Sequence, residues 1–162
     1  MEKITNKVFA YGDNIDTDRI IPGKYTKTLN LDTLAEHVLE DLDPSFAKQV
    51  KPGNIIVAGG NFGCGSSREQ APIAIKQCGV SAVVAKDFAR IFYRNAINIG
   101  LPVLEIGKHD IKTQDEISID FEAGTVTNHR DGKVYQATKL PSVMKNILSA
   151  GGLVPYLKEF KT

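Results

Sequence analysis

The chain has 162 residues, a length that suits one domain spanning residues 1–162 with a core of its own. Its 20 basic and 19 acidic residues leave a formal net charge of +1. This balance excludes the basic excess with which nucleic-acid-binding proteins neutralise phosphates. No apolar run approaches the roughly 20 residues of a membrane-spanning helix. We therefore expect neither a nucleic acid nor a membrane as partner.

The first residues and the cysteines indicate the compartment. Residues 1–7 lack the apolar segment of a signal peptide, so a cytoplasmic protein is expected. The two cysteines, Cys64 and Cys78, are then expected to be reduced. Two thiols cannot supply the four ligands of an ordinary iron–sulfur cluster, and the three histidines show no ligand spacing. We expect no metal to be bound by this chain alone.

The N-terminal third combines a strand, a polar turn and helices. Residues 7–11 are predicted as a strand, and residues 12–19 as a turn because four of the eight are Asp or Asn. Leucines, alanine and valine at helical spacing predict one amphipathic helix over 31–42. A short second helix follows over 45–50, with Ser45 as its candidate cap.

The middle of the chain alternates strands and helices. Compact apolar runs at 54–58, 81–85 and 102–106 predict buried strands. One helix between them ends near Cys78, and the other covers 88–99. The apolar face of the second helix is expected to consist of Phe88, Ile91, Phe92, Ala96 and Ile99. Short connections between such elements indicate a parallel sheet with right-handed crossovers.

The last third favours antiparallel pairing. Residues 116–121, 125–130 and 133–138 alternate in polarity around turn residues and predict hairpins, followed by helices over 141–150 and 153–160. The predicted fold class is therefore α/β, with a parallel βαβαβ core and antiparallel hairpins in one domain.

The loop at 59–69 has the composition of an anion site. It leaves the carboxyl end of a predicted parallel strand, where ligands of open α/β sheets bind, and enters a helix. Its four glycines allow backbone amides to approach a ligand, and Arg68 offers a bidentate fork for a carboxylate or phosphate. A merely tight strand-to-helix turn is the alternative.

Common motifs do not explain this loop. It lacks the lysine of a Walker A sequence, and Arg68 stands where a dinucleotide fingerprint needs glycine. Cys64 has no histidine beside it in the sequence, which disfavours a cysteine nucleophile.

Two helix caps compete in the same loop. Ser66 with Glu69, and Ser67 with Gln70, both form a capping-box sequence. Pro72 favours a regular helix that begins only near residue 71. The sequence leaves the choice between these serines open.

Three motifs in chain order resemble the aconitase swivel-domain family. They are Asp-Thr-Asp-Arg-Ile-Ile-Pro at 16–22, Gly-Cys-Gly-Ser-Ser-Arg-Glu at 63–69 and Phe-Ala-Arg-Ile-Phe at 88–92. More narrowly, the chain is similar to small subunits of isopropylmalate dehydratases, in which this domain is a separate polypeptide. The resemblance runs over about residues 8–104 and implies the swivelling β/β/α fold.

The resemblance also implies an activity and a partner. A large subunit would carry the 4Fe–4S cluster, and this chain would be a hydro-lyase subunit active only with it. The reaction would interconvert 2- and 3-isopropylmalate, small hydroxy-dicarboxylates of leucine biosynthesis, by loss and re-addition of water.

Site roles follow from the same motifs. Ser66 would be the catalytic group that takes the substrate proton. The groups that would bind or line substrate are Ser67, Arg68, Thr17 and Asp18. A specificity loop would sense the variable arm of the substrate; it consists of Lys24, Tyr25, Thr26 and Lys27. An unperturbed serine hydroxyl is a poor base at neutral pH, so this role would need strong local help.

Other functions stay open. Lys24 and Lys27 are charged, so they suit a substrate with a carboxylate arm better than one with an apolar isopropyl group. Lysines in loops are, however, usually solvated. A homoaconitase or dimethylmalate-type small subunit is therefore an alternative, and a non-catalytic anion-binding module is another.

Asn95 is the last candidate. Helical spacing from Phe88 places it on the apolar face of its helix, where a buried amide needs a partner. We expect Asn95 to be buried and to brace the site without touching substrate.

Overall fold

A computed structural model describes residues 1–159, and the strands and helices below are those of this part of the chain. The strands are β1 Ile4–Ala10, β2 Ile55–Ala58, β3 Ala82–Ala85, β4 Val103–Glu105, β5 Glu116–Asp120, β6 Thr125–Asn128 and β7 Val134–Gln136. The helices are α1 Thr17–Ile20, α2 Leu31–His37, α3 Phe46–Gln49, α4 Gln70–Gln77, α5 Arg90–Asn98, α6 Ser142–Ala150 and α7 Leu153–Glu159, with a 3₁₀ turn at Gly23–Tyr25. None of these helices is long and apolar enough to cross a membrane.

The seven strands form one sheet in the order β4-β3-β2-β1-β5-β6-β7. Strands β1 to β4 pair in parallel, and β5 to β7 are antiparallel. The strand β1 joins the two halves: Val8 lies opposite Ile55 in the parallel ladder, while Ile4 lies opposite Ile119 in the antiparallel one. The predicted α/β class, with a parallel core and antiparallel hairpins, is confirmed.

The two faces of the parallel strands bury their side chains in different cores. On β2, Ile56 and Ala58 belong to the core beneath the helices. Ile55 and Val57 belong to a second core that includes Ile117 of the antiparallel strands. Because both faces are covered, the parallel strands are continuous apolar runs. Such runs can be recognised as buried strands from the sequence.

The predicted helix over 31–42 is too long. Helix α2 ends at His37, and Leu39 has a left-handed backbone with a φ of +57°. The Leu39 amide then donates to the Ile20 carbonyl at 2.7 Å, which joins this turn to the end of α1. Leu31, expected on the apolar face, is exposed. Ser45 does not cap α3, because its hydroxyl donates to Asp43 instead.

The helix predicted over 88–99 begins later, at Arg90. Ile91, predicted on the apolar face, is 52% exposed, and this part of the prediction is wrong. Phe92 and Ala96 are buried as expected. Helix α7 agrees with the last predicted helix as far as Glu159, and residue 160 lies outside the described residues.

Cys78, at the end of α4, gives a test of the core. Burial raises the pKa of its thiol to about 11, and Sγ lies 3.0 Å from the Ile75 carbonyl oxygen. Because the thiolate is the nucleophile, we expect slow alkylation of Cys78 at pH 8 and about a tenfold rise per pH unit up to about 11. Iodoacetamide labelling of a Cys64→Ser variant measures this. Equal rates for the native and the urea-unfolded chain at pH 8 would contradict the partial burial of this thiol.

Candidate functional site

The segments that leave β1 and β2 continue side by side beyond the strand ends. Four backbone hydrogen bonds join them: Gly59 N to Gly12 O (3.0 Å), Asn14 N to Gly60 O (2.9 Å), Gly63 N to Ile15 O (2.8 Å) and Thr17 N to Cys64 O (2.8 Å). The parallel pairing of the sheet therefore extends into both loops and fixes one against the other.

Thr17 lies at the end of this pairing and holds Ser66. Asp16 caps the short helix α1 by accepting the Arg19 amide at 2.8 Å, which places Thr17 first in the helix. The Thr17 side chain is buried, and its Oγ1 accepts the Ser66 amide at 3.2 Å. The same Oγ1 lies 3.1 Å from Ser66 Oγ. Ser66 itself is exposed, so a buried hydroxyl supports an accessible one.

Two carboxylates that sequence reasoning missed hold the start of the loop. Asp13 Oδ1 accepts the Gly60 amide at 2.7 Å, and Asp87 Oδ1 accepts the Asn61 amide at 2.6 Å. Both aspartates follow parallel strands at the carboxyl edge of the sheet. That shared position was the available signal, because carboxyl ends of neighbouring parallel strands meet at one edge.

Aromatic rings form the floor of the loop. Phe62 is fully buried and packs edge-on against Phe88 and Phe92, with ring centroids 5.9 and 5.1 Å away. Gly63 has a φ of +83° and lies directly on Phe92, so that a Cβ at this position would overlap the ring. The loop therefore needs glycine here for both backbone conformation and space.

Arg68 lies between Asp18 and the 3₁₀ turn. Its Nη1 donates to Asp18 Oδ1 in an ion pair. Its guanidinium group covers Gly23, where a Cβ would lie 3.2 Å from Nη2. The structure thus brings together two pairs of predicted residues, Thr17 with Ser66 and Asp18 with Arg68.

Neither serine caps the following helix. Helix α4 begins at Gln70 after Glu69, close to the start that Pro72 predicted, and it has no side-chain cap. Both capping-box alternatives are therefore wrong, and the two hydroxyls are not used by α4. The Ser67 and Arg68 amides also have no acceptor within residues 1–159. Free amides beside an arginine favour an anionic ligand.

The predicted specificity loop overlaps the 3₁₀ turn. Lys24 Nζ lies 5.2 Å from the centroid of the Tyr25 ring. Thr26 bonds to Gly23 through its hydroxyl, and its carbonyl accepts Gln70 Nε2 at 3.2 Å. Lys27 is exposed and has no ion pair within the part of the chain that the structure describes.

Asn95 is partly exposed, so it is less buried than predicted. Its Nδ2 lies 3.5 Å from the Ser67 carbonyl oxygen, at the outer limit of a hydrogen bond with the backbone of the loop.

Residues 1–159 contain no group of three or more His, Cys, Asp or Glu side chains that could hold a metal ion. Both cysteines are free thiols. The donor set of the described chain therefore does not fit an iron–sulfur cluster.

Comparison with known proteins places this chain in the aconitase family. A family model described as "Aconitase C-terminal domain" matches residues 40–109. The crystal structure of a 3-isopropylmalate dehydratase from Methanocaldococcus jannaschii superimposes with a TM-score of 0.95 at 48% sequence identity. The match covers 99% of this chain and 96% of that one.

Two named relatives identify the family to which the chain belongs. The chain is 56% identical over 160 residues to the 3-isopropylmalate dehydratase small subunit of Aquifex aeolicus, covering 97% of this chain and 95% of the relative. It is 55% identical over 160 residues to a methanogen homoaconitase small subunit of Methanothermobacter thermautotrophicus, covering 98% and 94%. The chain belongs to the 3-isopropylmalate dehydratase small-subunit family. The resemblance inferred from three motifs is confirmed.

The close contact between Gly63 and Phe92 can be tested by mutation. Gly63→Ala combines a left-handed backbone, which costs an alanine about 1–2 kcal/mol, with a steric clash against Phe92. Gly132→Ala is the matched control, since Gly132 has a φ of +74° and open space around it. We expect Gly63→Ala to lower the free energy of unfolding by at least about 1 kcal/mol more than the control. Urea denaturation measures both, and equal losses would contradict the close contact.

Proposed function

We propose that this chain is the small subunit of a 3-isopropylmalate dehydratase, a hydro-lyase that interconverts 2- and 3-isopropylmalate in leucine biosynthesis. One observation carries the proposal: an exposed Ser66 hydroxyl is held 3.1 Å from the buried Thr17 hydroxyl, in a loop that also presents Arg68. The relative from Aquifex aeolicus, 56% identical, supports this choice of reaction.

Ser67 and Arg68 would bind a substrate carboxylate. Their backbone amides are free within residues 1–159, and the Ser67 side chain is exposed. Asp18 uses one N–H donor of the guanidinium group, and four of the five remain for a substrate. Asp18 would therefore orient Arg68, whereas the resemblance implied that it lines the substrate.

Ser66 would take the proton from the carbon next to a substrate carboxylate, a role in which its oxygen must first be an alkoxide. Thr17 supports that charge, because Oγ1 accepts the Ser66 amide with one lone pair and keeps its own proton for donation to Ser66 Oγ. A fixed donor aimed at developing charge is the principle of an oxyanion hole. Arg68, two residues after Ser66 in the same loop, adds a positive charge. Thr17 would thus be a positioning residue for Ser66, since it is buried beneath it.

The rest of the active site would come from a large subunit. Ser66 and Ser67 lie at an open surface, so substrate must be enclosed by another chain. We propose that this partner holds the 4Fe–4S cluster, which when bound would supply a Lewis acid for the leaving hydroxyl. The chain would be active only in that heteromer. Both cysteines are free thiols, which favours the reducing cytoplasm as the compartment.

A homoaconitase small subunit is the second candidate. Lys27 in the specificity loop is exposed and has no ion pair within residues 1–159, so it could bind the extra carboxylate of a homocitrate-type substrate. A relative that is 55% identical and named as a homoaconitase small subunit supports it. Dimethylmalate-type substrates would instead leave Lys27 in solvent.

Reconstitution tests the proposed function. We expect the purified chain to be colourless and inactive, and to turn over 2-isopropylmalate faster than homocitrate or dimethylmalate once mixed with its large subunit. Absorbance, iron content and kcat/KM for the three substrates are the measurements. Faster turnover of homocitrate would favour the second candidate, and no turnover of any would favour a non-catalytic anion-binding module. A brown chain with about four iron atoms would overturn the partner assignment.

Ser66→Ala separates catalysis from folding. We expect kcat of the reconstituted enzyme to fall by at least about 10²-fold, the usual contribution of a positioned acid–base group. The free energy of unfolding should change by no more than about 0.5–1.5 kcal/mol, because one exposed hydroxyl loses one hydrogen bond. Ser149→Ala, at an exposed serine of α6, is the control. Normal turnover by Ser66→Ala would show that Ser66 has only a structural role.

A further inference from the structure

A ring stack fixes the specificity loop at Tyr25. The Tyr25 ring lies parallel to the imidazole of His37, with centroids 3.9 Å apart and planes 5° from each other. The Tyr25 hydroxyl donates to Glu40 Oε1 at 3.4 Å. Two residues from outside the loop therefore determine where this ring lies.

Glu40 also binds His37, which closes the cluster. His37 Nδ1 lies 2.9 Å from the same Oε1 atom that accepts the Tyr25 hydroxyl. An ionised carboxylate only accepts, so Nδ1 must carry the proton. The hydrogen bond from His37 lowers the pKa of Glu40, which keeps the carboxylate charged at neutral pH. Tyr25, His37 and Glu40 thus form a closed triangle of contacts, called here the loop brace.

Helix α2 ends beside this brace. It stops at His37 and Leu39 is left-handed, while Glu40 lies three residues after His37, a separation at which side chains also meet in a helix. In a helix continued to residue 42, as the sequence predicted, the Leu39 amide could not reach the Ile20 carbonyl at 2.7 Å. The departure from the predicted helix thus coincides with the brace.

The brace is linked to Arg68 through the 3₁₀ turn. Tyr25 is the last residue of this turn, and Gly23 is its first. The Arg68 guanidinium group covers Gly23, so that even a Cβ there would lie 3.2 Å from Nη2. Gln70, two residues after Arg68, donates to the Thr26 carbonyl at 3.2 Å. A shift of Tyr25 would therefore move the surface on which Arg68 rests.

We propose that His37 and Glu40 are positioning residues that hold the specificity loop and, through Gly23, the guanidinium group of Arg68. They touch neither the serines nor the proposed substrate-binding amides. The substrate consequence rests on the proposed function, whereas the coupling to Arg68 is a property of this chain alone.

Two variants separate the contacts of the brace. His37→Ala removes both the stack and the bond to Glu40, whereas His37→Phe keeps an aromatic ring and removes only the bond. His129→Ala is the control, because His129 bonds Ser118 in the antiparallel half of the sheet. His37 is partly exposed at 30%, so its replacement should leave the core intact.

The first measurement uses the ¹⁵N-labelled chain without substrate or partner. We expect the Arg68 Nε–H signal, assigned by its loss in Arg68→Lys, to shift in His37→Ala, to shift less in His37→Phe and to stay unchanged in His129→Ala. An unchanged Arg68 signal in His37→Ala would overturn the proposal, whatever reaction the enzyme catalyses.

The second measurement uses the reconstituted enzyme. We expect His37→Ala to raise KM roughly tenfold or more, with a smaller effect on kcat. His37→Phe should bring KM most of the way back to the value of the unaltered enzyme. When Arg68 is already replaced by lysine, His37→Ala should raise KM little further. Equal losses in both backgrounds would show that His37 stabilises the fold without acting through Arg68. A shifted Arg68 signal together with no turnover of any substrate would support the brace and contradict the proposed function.

Discussion

The site depends on the pairing of β1 and β2 beyond the ends of the strands. Backbone hydrogen bonds from Gly12 to Thr17 on one segment and from Gly59 to Cys64 on the other keep the parallel register through both loops. The next residues along the two segments then meet: Thr17 lies against Ser66, and Asp18 lies against Arg68. Two motifs 49 residues apart thus become one site because their backbones share a register.

The same constraint determines which polar groups stay available. Asp13 and Asp87 accept the first amides of the loop, and Thr17 accepts the Ser66 amide. Such hydrogen bonds contribute about 0.5–1.5 kcal/mol each, so these acceptors stabilise the loop that packs on the aromatic rings. Beyond Ser66 the described residues 1–159 supply no such acceptor, which leaves the Ser67 and Arg68 amides available to a ligand.

Local signals in the sequence were sufficient for the sheet but not for the chain reversals. Apolar runs such as 55–58 could be recognised as buried strands, because both faces of the parallel half are covered. The end of α2 could not be predicted, since leucine rarely adopts the left-handed conformation and Leu39 does so to reach Ile20. Ile91 follows a helical apolar pattern and yet is exposed within α5, so an apolar residue at helical spacing does not by itself establish burial.

The site was predicted from resemblance more than from chemistry. Arg68 and the glycines indicated an anion, which the free amides support. The proposed role of Ser66 could not be derived locally, since the hydroxyl that lies beside it belongs to Thr17, 49 residues away in the chain. Asp87 was missed because a single aspartate after a strand has no signature until its neighbouring strand is known.

A double-mutant cycle shows whether Thr17 acts through Ser66. Thr17→Val keeps the shape of the buried side chain and removes its hydroxyl, and kcat is measured for it, for Ser66→Ala and for the double variant in the reconstituted enzyme. We expect kcat to fall at least about tenfold for Thr17→Val alone, and to fall no further when Ser66 is already alanine. Normal turnover by Thr17→Val, or losses that simply multiply in the double variant, would show that Thr17 does not act through Ser66.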